Sequence, residues 1–281
     1  KPTDDATFIT GRLNVQLPGE TDTFAVYNRI EPDHGNSNRL YGFTNKNITK
    51  DESDVRLVRS PAGEDGWLVN DFRGENRANL GGRSWTPTHN NWEIVSTASA
   101  GGINVRSGTF EQSRANPEWA FLGDETGNKL FYTENLSSAT PTWTELSNAP
   151  KASLYRISTH QYNENIIVIA TNIGVYISKN KGETWIKRAS FPQTSPKSVL
   201  IDKNTSEGIY VLTGLTVYYI DENLTEWVEF NKGLPLQNLT DMRIAYYPNN
   251  DNRLYVSKYG RGVWSSSLQS VFNSNGDKPI A

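Results

Sequence analysis

The stretch Gly174-Val175-Tyr176-Ile177-Ser178-Lys179-Asn180-Lys181-Gly182-Glu183-Thr184-Trp185 decides how the rest of the chain is read. It opens as a short run of β-branched and aromatic residues, crosses a polar turn, and stops on a tryptophan. Such a run, bounded by turn formers, is the signal of a strand entering a hairpin. Trp143 and Trp227 lie 42 residues to either side of Trp185, and Trp264 follows 37 residues after Trp227. Each interval repeats one order of features. A first strand reads as Ser153–Ser158, Ser198–Ile201 and Met242–Tyr246. A second reads as Ile166–Ala170, Ile209–Thr213 and Leu254–Ser257, and a third as Gly174–Ser178, Val217–Ile220 and Gly262–Ser265. A fourth opens on the tryptophan, at Trp185–Ala189 and Trp227–Phe230, and is missing from the last unit. Four short strands in a period of roughly 40–45 residues predict an all-β protein of the β-propeller class.

Working outward, the N-terminal half fits the same unit with insertions. Phe24–Ile30, Arg39–Phe43 and Val55–Ser60 read as the first three strands of a first unit, and Trp85 as the start of its fourth. Pro32-Asp33-His34-Gly35-Asn36-Ser37-Asn38-Arg39-Leu40-Tyr41 matches Pro248-Asn249-Asn250-Asp251-Asn252-Arg253-Leu254-Tyr255 in order and kind. A second unit reads as Glu93–Ala98, Trp119–Gly123, Leu130–Thr133 and Thr142–Leu146, interrupted by an insertion at Ser99–Pro117. Five blades follow, near 22–88, 92–147, 150–189, 195–230 and 238–268, within a propeller of residues 1–270. Phe8–Leu17 is expected as an extra strand that closes the last blade, the alternative being further blades upstream of Lys1, and 271–281 as a linker towards a following domain. The start at Lys1 rather than Met reads as a piece of a longer polypeptide.

Composition narrows the function classes. The 281 residues carry 28 Lys and Arg against 31 Asp and Glu, a net charge of −3, which lacks the basic surplus of a dedicated nucleic-acid binder. There is no Cys, which excludes a disulfide scaffold, a Cys-ligated metal site and thiol catalysis. No apolar run reaches the 18 or more residues of a membrane span. His34, His89 and His160 are far apart, without ligand spacing, and neither a metal nor a cofactor is expected. Asp124-Glu125-Thr126-Gly127-Asn128 offers oxygens to Ca²⁺ through Asp124, but lacks EF-hand spacing and reads as the hairpin after Trp119–Gly123.

Ser178, Asn180, Gly182, Thr184 and Trp185 resemble an Asp-box, the Ser-x-Asp-x-Gly-x-Thr-Trp turn between the third and fourth strands of sialidase-like (BNR-type) propeller blades. Its physics is local. A short polar side chain bonds the turn backbone, Gly supplies the unusual angle, Thr caps the hairpin and Trp packs between sheets. Asn180 stands where the motif has Asp. Weaker copies end at Trp85, Trp143 and Trp227. Residues 227–235 and 254–264, with Phe-Asn-Lys-Gly-Leu-Pro and Tyr-Gly-Arg-Gly-Val-Trp, resemble the last blades of propellers in large secreted or cell-surface proteins of Bacteroidetes-type bacteria. These often precede PKD modules, whose first residues Asp277–Ala281 resemble. The resemblance implies an extracellular or cell-surface location and further domains in the same parent chain. It implies no single reaction.

Two readings of function result. The first is a non-catalytic module for adhesion, for recognition of a glycan or protein on one face, or for architecture. Loops on a rigid scaffold carry such roles, and Trp67, Phe72 and Trp92 lie in or beside the long insertions Lys46–Asp54 with Gly63–Gly82 and Ser99–Pro117. The second is a sialidase-like or xyloglucanase-like glycoside hydrolase, which needs two facing carboxylates; Asp65 and Asp71 are the candidates. The segment Arg29-Ile30-Glu31-Pro32 only partly matches the arginine motif of sialidases and reads as an ordinary strand end. No nucleic-acid partner and no membrane insertion is expected.

Overall fold

The computed structural model describes residues 13–16, 23–36, 39–46, 55–60, 92–96, 109–124, 128–192, 196–231, 233–234, 238–249, 251–259 and 262–270. These residues form five antiparallel sheets in chain order. The first holds β1 (Leu13–Gln16), β2 (Thr23–Pro32), β3 (Leu40–Lys46), β4 (Val55–Arg59) and β5 (Glu93–Ile94). The second holds β6 (Thr109–Gln112), β7 (Ala120–Asp124), β8 (Lys129–Thr133) and β9 (Thr144–Glu145). The third holds β10 (Leu154–Thr159), β11 (Ile167–Thr171), β12 (Gly174–Ser178) and β13 (Ile186–Lys187). The fourth holds β14 (Ser198–Ile201), β15 (Ile209–Leu212), β16 (Val217–Ile220) and β17 (Val228–Glu229). The last holds β18 (Leu239–Ala245), β19 (Arg253–Lys258) and β20 (Gly262–Ser267). This is a β-propeller fold of five blade-like sheets. By contact the chain divides into two compact units, residues 1–108 with 117–120 and 133–144, and residues 109–116 with 121–132 and 145–281.

The long apolar runs have a simple cause in the second unit, where β15 is buried on both faces. Ile209 and Val211 pack with Val168, Ala170, Val175 and Ile177 of the third sheet. Tyr210 and Leu212 face the other way, into Met242, Leu254 and Val256 of the last sheet. Side chains alternate across a strand, so a strand sandwiched between two sheets must be apolar at every position. Each fully buried Val, Leu or Ile contributes about 1.5–3 kcal/mol. The turn after β12 is built as its residues require. Ser178 Oγ accepts from the amides of Asn180 (3.3 Å) and Gly182 (2.8 Å), and Asn180 Oδ1 accepts from the Thr184 amide at 2.9 Å. Gly182 has φ +89°, and a Cβ there would lie 2.8 Å from Leu146 Cδ1. The positive φ demands glycine, and an added Cβ would also have to displace the end of the Leu146 side chain.

The structure changes the reading of the first two blades. Glu93–Ile94 pairs with β4, as Val58↔Ile94 and Arg59↔Glu93, so it closes the first sheet instead of opening the second. The first strand of the second sheet is β6, inside the span expected as an insertion. Among the described residues every outer strand then begins one residue after a tryptophan: Trp92, Trp143, Trp185 and Trp227. Trp85, expected in that role, lies outside the described residues. Trp264 stands inside a third strand and is no member of the series. The expected closing strand Phe8–Leu17 is described from Leu13 to Gln16, and there it pairs with β2, as Leu13↔Val26 to Gln16↔Thr23. Pairing with the strand next in sequence closes a short loop, which costs less chain entropy than reaching the last sheet.

Two of the outer-strand tryptophans also tie one sheet to the one before. In the first unit Trp143 Nε1 donates to Val95 O at 2.8 Å, and in the second Trp227 Nε1 donates to Ala189 O at 2.9 Å. Trp92 and Trp185 carry buried indole nitrogens with no hydrogen-bond partner among the described residues. Arg59, 2% exposed, adds a polar tie within the first unit. Its Nε donates to Glu93 Oε2 at 3.0 Å and its Nη1 to Leu136 O at 2.8 Å. We expect Trp143→Phe to cost about 1 kcal/mol more stability than Trp185→Phe in urea denaturation. The former strands a buried carbonyl, whereas the latter removes an indole nitrogen that bonds none of the described residues. Equal losses would rule out the tie.

Candidate functional site

The residue after β2 in the first sheet, and the residue after the first strand in each of the next three, ties its own loop. Asp33 Oδ1 accepts from the amides of Gly35 (2.8 Å) and Asn36 (3.2 Å). Ser113 Oγ accepts from the Asn116 amide at 3.2 Å. His160 Nδ1 accepts from the amides of Tyr162 and Asn163, both at 3.1 Å. Asp202 Oδ1 accepts from the Asn204 amide at 3.0 Å. Short polar side chains at this point satisfy amides that the turn leaves unpaired. His160 does the same with a ring nitrogen. Since its Nδ1 accepts, Nε2 is the donor, and it reaches Thr205 O at 3.1 Å. That bond links the loop of the third sheet to the loop of the fourth.

Above this linkage sits a compact aromatic and cationic surface in the second unit. Lys203 follows Asp202, and its ammonium lies 4.0 Å from the Tyr246 ring centroid and 5.2 Å from that of Tyr162. It also donates to the Tyr162 hydroxyl at 3.0 Å. Tyr162 is 67% exposed and meets His160 edge to face at 6.5 Å. The Tyr246 hydroxyl accepts from the Lys203 amide at 2.8 Å and donates to Asp202 Oδ1 at 3.1 Å. Loops of the third, fourth and last sheets therefore meet here. Cation–π contacts of this kind contribute about 0.5–1 kcal/mol where exposed, and the hydrogen bond to the Tyr162 hydroxyl adds to the one over Tyr246.

Beneath the surface the polar groups are tightly committed. Asp202 is fully buried, and its Oδ2 accepts from the Ser270 hydroxyl at 2.6 Å. The Tyr210 hydroxyl accepts from the Gln269 amide at 2.7 Å, and Tyr219 donates to Asp221 Oδ2 at 3.0 Å. Glu207 pairs with Arg188 at 2.8 Å and with Lys179. Burial pushes the Tyr210 phenol well above its ordinary range. Burial also raises Tyr219, with Tyr210 and Asp221 adding to it. Tyr246 rises for the same first reason, reinforced by Asp202. At the surface, Lys181 holds the Glu164 carboxyl below the usual range, helped by Asn116.

Asp65, Asp71, Trp67 and Phe72 lie outside the described residues. Trp92 is fully buried and immediately precedes the outer strand of the first sheet. Asp124 ends β7, and residues 125–127 that follow it lie outside the described residues. Among the described residues no group of three His, Asp or Glu side chains is placed to hold a metal ion. The buried carboxylates of Asp33, Asp202, Asp221 and Glu207 are each held by turn amides, hydroxyls or cations. The surface of Tyr162, Lys203 and Tyr246 was not foreseen in the sequence. Its one signal is that Lys203 and Tyr162 lie one and two residues after a turn-tying residue.

No protein-family model matches the sequence, and no curated protein is similar to it. Solved structures are. An ancestral GH74 enzyme is 13% identical with a TM-score of 0.54, over 87% of this chain and 33% of that one. The GH74 xyloglucanase from Xanthomonas campestris is 12% identical with a TM-score of 0.50, over 83% and 37%. The shared property is the fold. This chain spans about a third of the length of these two enzymes. YCF48 from Cyanidioschyzon merolae is matched over 57% of this chain at a TM-score of 0.38.

The buried phenols make stability pH-dependent in one direction. Their ionisation is raised in the native chain, so the unfolded chain loses these protons first, near pH 10. Their contribution is complete below about pH 10 and is lost as pH rises towards the native ionisation. We expect part of the tyrosinate absorbance to appear only with loss of the β-sheet circular dichroism. Tyr210→Phe is expected to reduce that part. Complete tyrosine titration in a still-folded chain would contradict the assignment.

Proposed function

We propose that this chain is a non-catalytic propeller module of an exported bacterial multidomain protein, and that it recognises a glycan or a protein through the loop surface of Tyr162, Lys203 and Tyr246. One observation carries the reading: an exposed aromatic ring is hydrogen-bonded at its hydroxyl by a cation that also lies over the Tyr246 ring. Rigid aromatic faces bind sugars and protein hot spots because little side-chain entropy is lost on contact. The buried acids beneath belong to the scaffold, which leaves the surface to do the binding. We read Ser178–Trp185 as an Asp-box, and its role as structural.

The test is a glycan array together with a pull-down from cell-surface extract. Tyr162→Ala and Lys203→Ala are expected to weaken binding by about tenfold or more, the loss of roughly 1.4 kcal/mol, with unchanged circular dichroism. Binding that survives both substitutions would move the recognition surface elsewhere. A panel of chromogenic glycosides tests the other reading of this fold. Turnover that Asp65→Asn or Asp71→Asn abolishes would replace the binding proposal with a glycoside hydrolase.

A further inference from the structure

Among the described residues the last sheet holds fewer strands than the sheets before it. Among the described residues, β4, β8, β12 and β16 each carry a two-residue outer strand that begins after a tryptophan. β20 is the equivalent third strand, yet among the described residues it pairs with β19 alone. Its register with β12 is visible in the backbone. Gly174-Val175-Tyr176 and Gly262-Val263-Trp264 both start on a glycine of positive φ, 140° and 83°. On that alignment Trp264 and Ser265 take the places of Tyr176 and Ile177, the residues that pair with Lys187 and Ile186. The residues after β20 are tied to the fourth sheet instead. Leu268 is fully buried in the core shared with the fourth sheet, Gln269 bonds Tyr210, and Ser270 bonds Asp202.

The edge left by this arrangement begins with exposed apolar side chains and is uncharged. Val263 is 66% exposed, Trp264 42%, and Tyr259, just before the turn, 80%. Gly262–Ser267 contains no proline and no charge, the devices by which sheet edges are kept from pairing with another chain. We propose that β20 is a docking edge for an extended strand led by an aromatic residue and donated by a partner polypeptide. That strand would complete the last sheet as the tryptophan-led strands complete the other four. Backbone bonds to the ladder supply affinity in this mode of recognition, and the side chains beside it supply selectivity. The occupant's chemistry is read from the four internal outer strands. A second copy of the chain has no such strand to give among its described residues, since all four are paired within their own sheets.

A synthetic peptide with the sequence of residues 183–189, Glu-Thr-Trp-Ile-Lys-Arg-Ala, is the probe. We expect saturable binding, a blue shift of the fluorescence of the chain measured with a peptide whose tryptophan is replaced by phenylalanine, and slowed amide exchange within 262–267. Ser265→Pro, which blocks the ladder, is expected to weaken binding about tenfold or more. A backbone N-methylated peptide gives the same comparison on the unaltered chain should that variant fold poorly. Tyr162→Ala is expected to leave peptide binding unchanged, which separates this edge from the loop surface. Three results would overturn the proposal: no saturable binding, amides of 262–267 already protected in the free chain, or a dimer in solution whose dissociation is what exposes β20.

Discussion

A sheet that is apolar on both faces cannot stand alone in water, and this constraint shapes the chain. β15 has no polar face to show: Ile209 and Val211 need the third sheet, and Tyr210 and Leu212 need the last. Each sheet of the second unit is therefore stable only in company. What the sequence must encode is the repeat itself, since a unit with a polar face would end the series. The last sheet comes close to such an end. β18 and β19 bury Met242, Leu254 and Val256 on one side, while Arg243 bonds Asp241 and Tyr247 bonds Tyr255 on exposed ground.

Apolar packing between sheets is strong but indifferent to small sliding, so directional bonds are needed to fix the registration. The indole bonds of Trp143 and Trp227, each to a carbonyl just beyond the preceding outer strand, do this in their own units. So does Glu207, which takes Arg188 and Lys179 of the third sheet. Burying such a carboxylate costs desolvation, which two cations offset. At the loops the same logic operates on a smaller scale. His160, tying its own turn with one ring nitrogen, reaches the neighbouring loop with the other.

The sequence showed most where the repeat is regular. From Leu154 to Ser267 the strands fall where the tryptophan spacing and the β-branched runs placed them. The turn at Ser178–Trp185 has the bonds its residue types demand. The first two blades were misdivided because Trp85 mimics the opening tryptophan, and because a long excursion separates β4 from its true partner at Glu93. Local pattern carries no measure of how far a chain wanders before it pairs. The Tyr162, Lys203 and Tyr246 surface was invisible for a related reason. Its members sit about 40 residues apart, at positions that are unremarkable alone and converge only once the sheets are stacked.

The anchoring of Ser270 to Asp202 and of Gln269 to Tyr210 has a mechanical consequence. Tension applied to the chain at this point does not peel β20 from β19 one bond at a time. It falls first on two short hydrogen bonds and on Leu268 seated in the core. These contacts must rupture before the edge strand feels the load. The propeller is thus fastened where its last strand ends, and a pull from that side meets the fourth sheet as its first resistance.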